Sequence, residues 1–152
     1  MGALKRILVT GAGAPGGPGI IEALKSVDEF TVLGADIDPY ASGRFLVADF
    51  FQIPRPEDEN FITTLLDICI REAIDVVVPL VTKELFVLSS KQHLFHEQGI
   101  LVVVSENSAL TIANDKAALY DHLSGTDVCL PEYLVVSNKI DLEKAVRSMG
   151  YP

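Results

Sequence analysis

Gly11-Ala12-Gly13-Ala14-Pro15-Gly16 follows directly on residues 4–10, an apolar run of strand length. A glycine-dense turn there lets the backbone leave a buried strand and approach another backbone or a ligand closely. The chain then keeps one rhythm. Residues 18–27 carry Ile20, Ile21 and Leu24 on one helical face, and residues 31–37 are strand-like and closed by Asp38-Pro39. Residues 50–53 read as a short third strand before Pro54 and Pro56. Pro56 opens a helix running to about residue 73, with Phe61, Leu65, Ile68 and Cys69 at helical spacing and acids in its first turn. Residues 75–80 are too apolar for an exposed strand and predict a central parallel one. A helix over residues 83–98 ends at Gly99, residues 100–104 give a further strand, and Ser105 caps a short helix. Such alternation predicts an α/β fold of three layers, a parallel sheet with helices on both faces.

The rhythm changes after about residue 112. Asn114 is expected to cap a helix through Leu123, residues 131–136 to form an isolated strand, and a last helix to reach Met149 with Gly150 at its end. The expected division is residues 1–112 as one domain and residues 113–152 as the beginning of a second, incomplete one.

Charge narrows the partners. With 12 basic and 21 acidic residues the formal net charge is -9, which argues against nucleic acid because phosphate recognition needs a basic face. The apolar run before Gly11 is too short for a signal peptide or a membrane span, so the expected address is the cytoplasm. Cys69 and Cys129 form no CxxC pair and are expected to be buried thiols. His93, His96 and His122 lack acidic or thiol partners at ligand spacing, so no metal site is expected.

The glycine turn fits G-x-G-x-x-G, and Asp36 lies 20 residues beyond its last glycine. In a Rossmann dinucleotide site those glycines approach the pyrophosphate and the acid holds the ribose. Two features oppose that reading. Pro18 suits a first helical turn and places the helix start late, away from the pyrophosphate position. Tyr40, Tyr120, Tyr133 and Tyr151 supply no Tyr-x-x-x-Lys pair, the proton-transfer device of short-chain dehydrogenases and epimerases. A purely structural turn, packing the first helix on the sheet, also remains open, as does a non-catalytic regulatory domain.

The order Ile7-Leu8-Val9-Thr10-Gly11-Ala12-Gly13, Gly34-Ala35-Asp36-Ile37-Asp38, Ala48-Asp49, Ile74-Asp75-Val76-Val77-Val78-Pro79, Lys83-Glu84-Leu85, Asn114-Asp115-Lys116 and Leu130-Pro131 runs along nearly the whole chain. Lys144-Ala145 and Met149-Gly150-Tyr151-Pro152 complete it. It resembles the Rossmann-like front domain of ATP-grasp enzymes, especially carbamoyl-phosphate synthase large chains and related carboxylate–amine ligases. The resemblance implies a ligase that uses ATP and Mg2+ to convert a carboxylate or bicarbonate to an acyl phosphate, which an amine then attacks. It implies that Gly13, Ala14, Pro15, Gly16, Asp36, Asp38 and Glu84 face the small-molecule substrates, and that Lys116 reaches the nucleotide phosphates. It also implies that the rest of the ATP-grasp domain, with most of the nucleotide and metal equipment, lies beyond these residues, so that no catalytic residue is expected here and the chain alone is inactive. A homo-oligomer is left open.

Overall fold

Five parallel strands lie in the order β3-β2-β1-β4-β5: β1 Lys5–Thr10, β2 Phe30–Asp36, β3 Phe50–Gln52, β4 Val76–Pro79 and β5 Leu101–Val102. The computed structural model describes residues 4–150. The helices are α1 Gly17–Lys25, α2 Phe61–Arg71, α3 Thr82–His96, α4 Asn107–Asn114, α5 Lys116–Leu123 and α6 Lys139–Met149, with a 3-10 turn at Ser42–Leu46. The chain divides into two compact units, one up to Leu110 and one from Thr111, and the sheet lies wholly in the first.

Residue alternation along β1 builds two cores, one on each face of the sheet. Leu8 joins Leu33, Phe61, Leu65, Leu88 and Phe95 under α2 and α3, whereas Ile7 and Val9 join Ile21 and Val32 under α1. A strand covered on both faces must be apolar throughout, which is why Leu8, Val9 and Val77 are fully buried. Asp75, just before β4, accepts from the Lys5 ammonium at 2.7 Å and from the Arg6 N–H at 2.8 Å, fixing the start of β4 beside β1.

Helices α2 and α3 end in the same way. Ile74 N–H reaches the Cys69 carbonyl at 2.8 Å and Ala73 N–H the Ile70 carbonyl at 3.2 Å; Ile100 reaches Phe95 at 3.0 Å and Gly99 reaches His96 at 2.9 Å. These are paired Schellman bonds, which place the residue after the cap in the left-handed region. Gly99 takes that position at φ 76°, and Ala73 takes it at φ 48°.

Four expectations need correction. Helix α2 begins at Phe61 rather than Pro56, because Asp58 accepts the Asn60 N–H at 2.8 Å and holds residues 56–60 in turns. Asn114 closes α4, and Asp115 is the cap of α5, accepting from Ala117 and Ala118 at 2.9 and 3.1 Å. Residues 131–136 form no strand among the described residues, since their β-favouring side chains find no ladder partner. Cys69 is buried, and burial pushes its thiol up to about 12, but Cys129 is exposed. The last helix ends at Met149 as expected, with Gly150 at φ 76°. No helix among the described residues is long and apolar enough to cross a membrane.

Candidate functional site

The strand order reverses direction at β1, and a cleft of about 410 Å³ opens there, at the C-terminal ends of β1, β2 and β4. Open parallel sheets bind ligands at such switch points, because the loops on either side diverge. Gly11, Gly13 and Ala14 form one wall, Asp36, Asp38 and Tyr40 a second, and Val81, Lys83 and Glu84 a third, with Arg55 and Glu57 at the mouth.

Each wall has a local cause. Gly11 turns out of β1 at φ +63°, and a Cβ there would strike the Val81 side chain. Gly13 donates its N–H to Asp36 Oδ2 at 2.8 Å, and a Cβ on it would lie 2.9 Å from that of Ala41. The other carboxylate oxygen of Asp36 accepts the Asp38 N–H at 3.0 Å. Asp36 is therefore buried with both oxygens on backbone donors. Asp38 in turn accepts from the Tyr40 N–H at 2.9 Å.

Gly17 begins α1, four positions after Gly13, so the positive end of that helix is set back from the first two glycines. Gly17 and Gly43 both press on Ala12: a Cβ on either would collide with its carbonyl oxygen.

Glu84, in the first turn of α3, is buried and accepts the hydroxyl of Thr10 from the end of β1. Burial pushes its carboxyl up to about 7, with the Asp36 charge adding to the effect and the Thr10 hydrogen bond opposing it. The floor of the cleft is thus two carboxyls, one accepting a backbone N–H on each oxygen and one poised to hold a proton near neutrality.

Of the residues expected to face substrate, Gly13, Ala14, Asp36, Asp38 and Glu84 line this cleft together, whereas Pro15 and Gly16 are exposed and outside its lining. Lys116 is exposed at the first position of α5, in the second unit. Sequence reasoning missed Thr10, Arg55 and Lys83. Arg55 comes into place because Ile53 N–H bonds the Asp36 carbonyl at 3.0 Å, which extends the β2–β3 pairing past Gln52. In sequence only the Pro54-Arg55-Pro56 turn marks it, and the strand order that brings it to the cleft is a long-range feature.

Among the described residues no group of three or more histidines, cysteines or acids could hold a metal ion. For a nucleotide the residues expected in that role amount to Lys116, whose ammonium suits phosphate neutralisation without bidentate geometry. The helix amides at Ala117 and Ala118 are already taken by Asp115.

A five-stranded parallel sheet with this order is a Rossmann-like α/β fold, and it matches the fold of the N-terminal domains of ATP-grasp enzymes. Residues 7–103 match the model of the PylC-like, N-terminal domain, and the chain belongs to that family. Among solved structures it is similar to N5-carboxyaminoimidazole synthetase from Staphylococcus aureus complexed with ADP (17% identity, TM-score 0.63, all of this chain and 38% of that one). It is also similar to glycinamide-RNase-transformylase T from Mycobacterium tuberculosis (17% identity, TM-score 0.61, 97% and 40%). The biotin carboxylase subunit of pyruvate carboxylase is a further structural relative (17% identity, TM-score 0.56, 98% and 34%). The chain spans about two fifths or less of the length of these structures. No curated protein sequence matches significantly.

Proposed function

We propose that this chain is the acceptor-substrate side of an ATP-dependent ligase. In this reading the parent enzyme converts a carboxylate or bicarbonate to an acyl phosphate, as in carbamoyl-phosphate synthase-like chemistry, and an amine displaces the phosphate. Residues 1–112 form the front domain, and residues 113–152 begin the ATP-grasp domain. ATP and Mg2+ are held mainly by further parts of a cytoplasmic enzyme, with Lys116 contributing charge toward the nucleotide phosphates. The metal, when bound, offsets charge on the transferred phosphoryl group. The chain's own residues position and select the small molecules, and the chain alone does not turn over.

The observation that carries this reading is the burial of Asp36 beneath the glycine turn. A dinucleotide site needs an accessible carboxylate at the end of β2 for the ribose hydroxyls. Here Gly13 and Asp38 N–H groups take both oxygens, at 2.8 and 3.0 Å, and α1 starts at Gly17. Asp36 is 8% exposed, so little of its carboxylate surface is open to a ribose. The cleft that remains is sized for a small substrate, with Gly13, Ala14, Asp38 and Glu84 at its surface.

Calorimetric titration of the chain with NADH separates this from the NAD(P)-binding alternative. The ligase reading expects no saturable heat. Saturable micromolar binding that is lost in Asp36→Ala would overturn it.

A further inference from the structure

We infer that Arg55 is the anion anchor of the cleft, so that its ligand carries a carboxylate or phosphate at the mouth and a neutral or cationic end toward Asp36 and Glu84. This deepens the substrate-side reading and rests on it for the cleft's role, though not for the anchor itself.

The charged residues lining the cleft are Asp36, Asp38, Glu57, Glu84, Arg55 and Lys83. The acids outnumber the bases, in a chain whose net charge is -9. An anionic ligand therefore approaches against the overall field and needs a local cation. Lys83 already pairs with Glu57 at 3.0 Å. Arg44, on the neighbouring 3-10 turn, donates to the Pro39 carbonyl at 3.0 Å and lies 5.5 Å from the Phe50 ring centre. Arg55 enters no side-chain hydrogen bond or ion pair among the described residues; it meets only the field of nearby Glu57.

The position of Arg55 is also fixed in advance. Pro54 and Pro56 flank it and restrict the backbone on both sides. Ile53, two residues earlier, is buried and tied to Asp36, and the Arg55 carbonyl accepts the Asp58 N–H at 2.9 Å. Arg55 also lines a second, shallower groove with Ile37, Asp38, Gln52 and Pro54, so the residue borders both cavities next to Asp38. An arginine on a stiff turn, facing open clefts, matches the planar fork that carboxylate and phosphate oxygens accept.

The test is a chemical-shift titration of the whole 152-residue chain at pH 7 and constant ionic strength, with malonate in one arm and inorganic phosphate in the other. Shifts are expected to converge on Arg55, Asp38 and Gly13. Arg55→Gln is expected to weaken the better-bound anion about tenfold, the loss of one charge-assisted contact. Arg55→Lys is expected to recover part of the affinity, and Arg44→Gln to bind as wild type. Malonate binding more tightly than phosphate assigns a carboxylate ligand, and the reverse assigns a phosphate. Shifts spread evenly over surface lysines and arginines, or equal affinity in Arg55→Gln, overturn the anchor. An unchanged core spectrum of Arg55→Gln shows that the variant is folded. Failure of the ligase reading appears separately, as NADH binding, and leaves this titration interpretable.

Discussion

Thr10, the last residue of β1, donates its hydroxyl to Glu84 in the first turn of α3, across 74 positions of sequence. The bond joins a strand end to a helix start at the point where the sheet changes direction. It also leaves a buried carboxyl with a hydroxyl as its hydrogen-bond partner.

Glu84 makes stability depend on pH. Its carboxyl is held at about 7 in the fold against 4.5 ordinarily, so the folded chain keeps a proton that the unfolded chain releases. The contribution is fully present below 4.5 and is lost as pH rises through about 7. That difference corresponds to about 3 kcal/mol as an order of magnitude. Urea unfolding at pH 5 and pH 8 is expected to show this loss in wild type relative to Glu84→Gln. Parallel pH dependences in the two proteins would contradict the assignment.

Gly16, Gly17 and Gly43 divide by what surrounds them. Gly17→Ala and Gly43→Ala each drive a methyl into the Ala12 carbonyl, and each is expected to cost about 3 kcal/mol. Nothing lies within 4 Å of a Cβ on Gly16, at φ -91°, so Gly16→Ala is expected to change stability by less than about 1 kcal/mol. Thermal unfolding of the three variants checks the order.

Ala73 holds at φ 48° a position that α3 gives to Gly99. Ala73→Gly is expected to stabilise the chain by about 0.5–1 kcal/mol, because a left-handed alanine is strained. Chemical unfolding measures it, and a destabilised variant would mean that the Cβ contributes more by packing than it costs in strain.

Much of this was legible in the sequence, and the misses share a cause. The strands showed because burial on both faces forces continuous apolar runs such as Val76-Val77-Val78. Gly13, Asp36 and Glu84 could be placed in one region because each sits at or just after a strand end. Arg55 could not, since its place depends on the parallel pairing of β2 with β3 and on the Ile53–Asp36 bond, both long-range. Residues 131–136 misled for the opposite reason: propensity names a strand, but only a partner makes one. The start of α2 was misread because Asp58 prefers a local turn to the helix that Pro56 appeared to open.

Lys116 is exposed at the first turn of α5 and contributes little to the fold. In the natural gene product Lys116→Ala is expected to raise KM for ATP about tenfold, the loss of one phosphate contact, with an unchanged melting temperature. An unaltered KM would remove Lys116 from the nucleotide site.

The most direct measurement is acyl-phosphate trapping in the natural gene product, supplied with ATP, Mg2+, hydroxylamine and a panel of small carboxylates. The ligase account predicts a hydroxamate, with ADP formed in step, for one class of carboxylate and none without ATP. ADP release that no carboxylate stimulates, with no hydroxamate across the panel, would contradict it.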